Sequence, residues 1–333
     1  MTRFLPYPDL DGIPNLVVDG ARHADTLLTL SHWPHSGTPP ALKEDLSAQI
    51  AFRYLDSRDW RVDAEAVSNN HFDEDGLASV YALVDPDGAQ QRRDLVVDVA
   101  SAGDFGTFRS RDAARISIAI AAFTDANRSP LDPAVFALPY ERYAAAMYEE
   151  MVPRVEEMLD HPDRFRELWA EEDAHLSASE DGLRDHSITL DEVPEIDLAV
   201  VTVPEGWTER QVHRFTQQRS QAVHPMAVHN ATDRFRVLLV EGRHYELQFR
   251  YESWVQYVSR RPLPRVDLAP LAKDLTADEA GGHWIFDGAD VIAPSLHLDG
   301  ASESSIAPEA FQDRLAEFLR DAPPAWDPYD AED

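Results

Sequence analysis

The chain has no cysteine, which excludes disulfides, thiolate chemistry and cysteine-ligated zinc. Any metal must then be held by histidine, aspartate, glutamate or backbone oxygen. Lysine is almost missing as well, occurring only as Lys43 and Lys273, so 28 of the 30 basic residues are arginine. Positive charge is scarce overall: 30 Lys+Arg against 61 Asp+Glu gives a net charge of −31. A molecule this acidic repels polyanions and gains nothing from counterion release, so a long nucleic acid is excluded as a partner. No run of 18 apolar residues is present, so no membrane-spanning helix and no membrane partner are expected. The N-terminus reaches Asp9 and Asp11 before any signal-like apolar stretch develops, and a cytoplasmic location is the resulting expectation.

What remains is ample for folding: 333 residues, 44% hydrophobic, more than one core usually holds. Asn15–Val18 and Thr26–Leu30 read as strands, the second leading through Ser31-His32-Trp33 into a proline-flanked loop and a helix from Ala41 to Leu55. A strand over 62–68 runs into His71-Phe72-Asp73-Glu74-Asp75-Gly76 and a helix. A third, Asp94–Val99, leads to Asp104 and a helix from Asp112 to Phe123. Such alternation predicts an α/β fold with a parallel sheet whose carboxyl edge carries the ligand site. The expected organisation is a parallel-sheet N-terminal domain over 1–139, a helical linker over 140–186, a smaller α/β C-terminal domain over 187–322 and a disordered acidic tail over 323–333. Within the C-terminal domain, Glu241-Gly242-Arg243 reads as a hairpin turn between strands.

The segment from His71 to Gly76 carries the strongest chemical signal. Alternating His, Asp and Asp let one loop aim an imidazole and two carboxylates at a shared point. A twelve-residue calcium loop starting at His71 is rejected, because its closing position falls on Ala82 where a glutamate is required. A plain alternative stays open, in which Asp73 or Asp75 caps the helix that follows.

His-x-Asp-x-Asp-Gly-x-x-Ser, running from His71 to Ser79 between a strand and a helix, resembles the first motif of the DHH phosphoesterase superfamily. Leu95-Val96-Val97-Asp98 followed by Ala100-Ser101 resembles the family's strand-end aspartate, and Gly281-Gly282-His283 is similar to its glycine-rich substrate stretch. The Asp-His-His motif itself is absent, the nearest pairs being Asp160-His161 and Asp185-His186. Ser31-His32-Trp33-Pro34 and Tyr251-Glu252-Ser253-Trp254 also resemble an uncharacterised bacterial family of unknown function. The superfamily resemblance implies His71, Asp73, Asp75 and Asp98 as catalytic ligands of Mn²⁺ or Mg²⁺ in a two-ion site, with Gly281, Gly282 and His283 touching substrate.

Hard oxygen ligands with imidazole suit Mn²⁺ or Mg²⁺ on chemical grounds too. His32, His35 and Asp104 are the candidates for the missing ligands, and Arg109 and Arg111, at a helix start, for gripping an anion. Glu172 and His175 share the i, i+3 spacing of carboxylate-bridged metal bundles, although a solvated face is the preferred reading there. His224, His229 and Asn230 form a further polar group. The expected function is a metal-dependent phosphoesterase-like hydrolase acting on a small phosphorylated compound or a short oligonucleotide. The alternative is a non-catalytic ligand-binding module that retains the fold. Oligomeric state is not legible.

Overall fold

Strand-forming and helix-forming segments alternate along the first half of the chain, and a computed structural model arranges them as a parallel sheet with helices. It describes residues 2–204, 207, 212 and 221–330. The chain divides into two compact units, Met1–Ala174 and His175–Asp333, the division falling inside the segment expected to be a linker.

In the first unit, β1 (Arg3–Phe4), β2 (Asn15–Val18), β3 (Thr26–Leu30) and β4 (Ala66–Ser68) form a sheet of order β1-β4-β2-β3 in which every pair is parallel. Buried valines and leucines suit strands covered on both faces, and all four residues of β2 are inaccessible. The helices are α1 (Ser47–Asp56), α2 (Glu74–Val84), α3 (Pro86–Gln91), α4 (Arg93–Asp104), α5 (Arg111–Thr124), α6 (Tyr140–Met151) and α7 (Val155–Asp160), followed by α8 (Arg166–Asp185). Parallel strands bring their carboxyl ends to one edge. Asp19 follows β2, Ser31-His32 follow β3, and Asn69 to Asp73 follow β4, so three separate segments deliver polar side chains to the same rim.

One expected strand is a helix. Asp94–Val99 lies inside α4, whose buried residues run from Val96 to Ala100 and again from Ala102 to Asp104. The valines favoured a strand, but a short apolar run does not separate a strand from a helix enclosed by its neighbours, and the twelve-residue length is that of a helix.

The second unit is built on a mixed sheet of order β10-β11-β8-β7-β6-β5. Its strands are β5 (Thr189–Val193), β6 (Leu198–Val203), β7 (Arg236–Glu241), β8 (His244–Phe249), β10 (His283–Phe286) and β11 (Ser295–Asp299). Only β6 and β7 pair in parallel, and β7 and β8 form the expected hairpin through Gly242, whose φ of 55° suits glycine. Helices α9 (Pro225–Ala231), α10 (Ala269–Asp278) and α11 (Pro308–Asp321) complete it. In the C-terminal segment, β12 (Pro324–Trp326) pairs with β9 (Arg265–Val266), and Trp326 stacks on Trp254.

Candidate metal centre

Two groups of side chains converge at the rim of the parallel sheet. The inner group is Asp19, His32, Asp75 and Asp104, all buried, and the outer is Asp19, His71 and Asp73. Within each group, one ligand atom from every member lies within 4.8 Å of the others. Asp19 belongs to both: its Oδ1 is 3.4 Å from His32 Nε2 and its Oδ2 is 3.3 Å from His71 Nε2.

Each residue is placed by a local feature. Asp19 has a φ of 46°, a left-handed bend that turns the chain at the end of β2. Gly20 follows because a Cβ there would fall 2.1 Å from Asn70 Oδ1. His32 Nδ1 is 2.6 Å from the Asp45 carbonyl oxygen, which can only accept, so Nδ1 carries the proton. His32 Nε2 then faces Asp19, Asp75 at 3.9 Å and Asp104 at 3.6 Å. Asp73 is the N-cap of α2, its Oδ1 accepting from Gly76 N–H at 2.9 Å, while its Oδ2 is 3.1 Å from His71 Nε2. Capping and ligation therefore use different oxygens of one carboxylate. Asp75 accepts from the Ser47 and Ala48 N–H groups at the start of α1, both at 2.7 Å, so the helix terminus holds it in place.

The electrostatics are unbalanced. Among the described residues neither Asp19 nor Asp75 has a lysine or arginine partner. Burial, reinforced by neighbouring carboxylates, raises the pKa of Asp19 and raises that of Asp75 well above the usual carboxylate range. Burial lowers that of His32, with Asp19 opposing it, so the imidazole favours its neutral form. With Nδ1 protonated, the Nε2 lone pair of His32 points at the carboxyl groups of Asp19, Asp75 and Asp104, with no lysine or arginine on Asp19 or Asp75 among the described residues. At His71, burial opposes protonation but Asp73 and Asp19 outweigh it, pushing the pKa well above the ordinary imidazole value. Four carboxylates and two imidazoles thus form a site that can hold a metal.

The residues singled out from the sequence divide as follows. His71, Asp73, Asp75, His32 and Asp104 come together, and Asp19 joins them unforeseen. Its signal was present in Val17-Val18-Asp19-Gly20, a carboxylate and a glycine directly after a strand. Asp98 is a correction: on α4 rather than at a strand end, it accepts from Arg109 N–H and Ser110 N–H at 2.9 and 2.7 Å and belongs to neither group. Arg109 is exposed, whereas Arg111 donates to Asp173 Oδ1 at 2.6 Å. Gly281, Gly282 and His283 belong to the second unit, where His283 Nε2 lies 3.7 Å from Asp299 Oδ2. His35 is exposed, with a φ of 58°. Glu172, Asp173 and His175 are buried rather than a solvated face, and among the described residues they form no metal-ligating group. His224 caps α9, its Nδ1 accepting from Met226 N–H at 3.1 Å.

A family model described as a family of unknown function, DUF6687, matches residues 1–330. The chain belongs to DUF6687. No curated protein matches it. The crystal structure of an exopolyphosphatase-related protein from Bacteroides fragilis is similar at 10% identity over 92% of each chain, with a TM-score of 0.26. A likeness at that level carries no functional argument. The site has to be read from its own chemistry.

Proposed function

We propose that this member of DUF6687 is a metal-dependent phosphoesterase-like hydrolase whose centre is the pair of groups bridged by Asp19. The observation that carries this reading is His32: Nδ1 is held by a carbonyl, leaving Nε2 directed at the carboxylates of Asp19, Asp75 and Asp104. A hydrogen bond from the distal ring nitrogen to a carbonyl is the usual way a metal-ligating histidine is oriented. Asp19, Asp75, Asp104 and His32 would hold one Mn²⁺ or Mg²⁺; Asp19, Asp73 and His71 would hold a second. Bound there, such ions polarise a phosphoryl group and generate hydroxide near neutral pH.

The protein's own part is placement. Helix α1 fixes Asp75 through two backbone N–H groups, and Ser47 Oγ donates to Asp19 Oδ1 at 2.7 Å. These contacts set which carboxylate oxygens remain available. The half-buried outer group, with His71 and Asp73 about 15% exposed, gives the substrate its approach. Arg109, exposed a few residues after Asp104, is the cation offered to an anionic substrate. The DHH-like sequence from His71 to Ser79 supports the same class, and the strong negative charge favours a small phosphorylated compound or a short oligonucleotide over a long polymer.

The test is elemental analysis of the full chain together with phosphomonoesterase and phosphodiesterase assays in Mn²⁺. Bound metal, and turnover abolished by Asp19→Asn and Asp75→Asn in folded protein, supports the hydrolase. Metal and ligand binding without turnover would favour the binding module. Absence of bound divalent ion at millimolar Mn²⁺ would overturn both readings of the centre.

A further inference from the structure

The two imidazoles of the centre are fixed by different means. His32 is held by the Asp45 carbonyl. His71 Nδ1 is buried and has no hydrogen-bond partner among the described residues, so the contact that normally orients a metal-ligating ring is missing there. What the ring has instead is Trp33, whose indole stacks on it at 5.0 Å between centroids with the planes 25° apart. The backbone of Trp33 is itself anchored: its main-chain N–H donates to Ser31 Oγ at 3.2 Å and its main-chain carbonyl accepts from Ser36 N–H at 3.3 Å.

We propose that Trp33 is the positioning residue of the outer metal subsite, its indole face holding the His71 imidazole so that Nε2 points at Asp19 and Asp73. This rests on the metal-centre reading above. The physical case is one of orientation. A stacked contact restricts rotation about the Cβ–Cγ bond, which the absent Nδ1 hydrogen bond would otherwise do, so Nε2 is held toward Asp19 and Asp73. Trp33 therefore supports the outer subsite, whereas the inner one is built around His32.

Metal-stripped full-length protein titrated with Mn²⁺ by calorimetry, with ions counted by electron paramagnetic resonance, tests this. Wild type is expected to take two ions. Trp33→Ala should keep the inner ion and bind the outer about 10–100-fold more weakly, the range for loss of a supporting contact around a metal ligand. Trp33→Phe, which keeps an aromatic face, should retain most of the outer affinity, and Trp33→Leu, which keeps bulk without that face, should not. Thermal unfolding of the metal-free variants checks that the fold is kept, and if the alanine variant fails to fold the Leu and Phe pair decides. Two ions bound as tightly in Trp33→Leu as in wild type, or both weakened equally, would overturn the proposal. Wild type taking up no Mn²⁺ would instead overturn the metal centre itself, a result visible before any substitution is made.

Discussion

The two units bury charge in opposite ways. The first gathers Asp19, Asp75 and Asp104 around a neutral histidine, whereas the second buries Arg236, Arg250 and Arg265. Arg265 is fully inaccessible, yet its guanidinium donates to Ser253 Oγ and to the carbonyl oxygens of Arg250, Ala289, Val291 and Ile292. Arg250 pairs with Glu252, and Arg236 donates to the carbonyl oxygens of Ile196 and Pro264. Those guanidinium groups tie loops to strands. The desolvation cost is similar in kind on both sides, but in the second unit the buried cations are dispersed, each tied to its own carbonyl or carboxylate oxygens, while in the first several acidic groups are gathered around one imidazole. Dispersed charge held by the chain is architecture. Acidic groups gathered at one point suit a cation that binds.

This contrast can be broken by substitution. Arg265→Met should lower the stability of the chain by about 3–5 kcal/mol in chemical denaturation, since one fully buried guanidinium ties five acceptors together and all lose their donor at once. Asp19→Asn should change the stability of metal-free protein by no more than about 1 kcal/mol, because the amide relieves the repulsion from Asp73 while giving up the charge that faces His71. Mn²⁺ at about a hundredfold its Kd should stabilise wild type by about 3 kcal/mol and leave Asp19→Asn unmoved. Were metal-free Asp19→Asn as damaged as Arg265→Met, the acidic cluster would be structural and the contrast would disappear.

A smaller effect sharpens the comparison at Glu279 in the second unit. Burial works against its ionised form, but the Ser304 and Ser305 hydroxyls, the Ser305 N–H and the Trp284 indole outweigh it and hold its pKa at about 2. A pKa lowered by folding contributes stability above the unfolded value of 4.5, lost as pH falls toward 2. Glu279→Gln should therefore cost about 1 kcal/mol at pH 7, a figure discounted for partial exposure to solvent. The gap from wild type should close between pH 4.5 and about 2 in acid titrations of thermal stability. A gap independent of pH would mean that shape, not charge, makes the contact.

The sequence was most informative where chemistry and chain order coincide. His71, Asp73 and Asp75 fall within five residues at the start of α2, so their nearness is a local property, and alternation of residue types was enough to suggest it. His32 was reachable because it follows β3 on the carboxyl edge of a parallel sheet, whereas Asp104 was reached by reading Asp94–Val99 as a strand and stands at the C-terminal end of α4. Asp19 needed the strand order β4-β2-β3, which places the end of β2 between the other two and which no local pattern encodes. The docked tail was hidden for a related reason: Trp326 finds Trp254 and the Arg265 guanidinium only after the second unit has folded.

Asp98 gives the finest test of the distinction between structural and metal-holding charge, because it is a buried carboxylate in the same unit as the centre and in the same helix as Asp104, yet lies outside both groups. Its oxygens accept from the Arg109 and Ser110 N–H groups just before α5, an architectural use like that of the arginines in the second unit. An amide at this position keeps one acceptor oxygen and turns the other atom into a donor facing a donor. Asp98→Asn should accordingly cost about 1 kcal/mol in stability, within the range for helix-terminus contacts. It should leave the affinity and number of Mn²⁺ ions unchanged in calorimetry. Asp104→Asn, six residues further along α4, should remove the inner ion. If Asp98→Asn abolished metal binding with its stability intact, the carboxylate would have to leave those N–H groups for the ion, and the two aspartates of α4 would no longer differ in role.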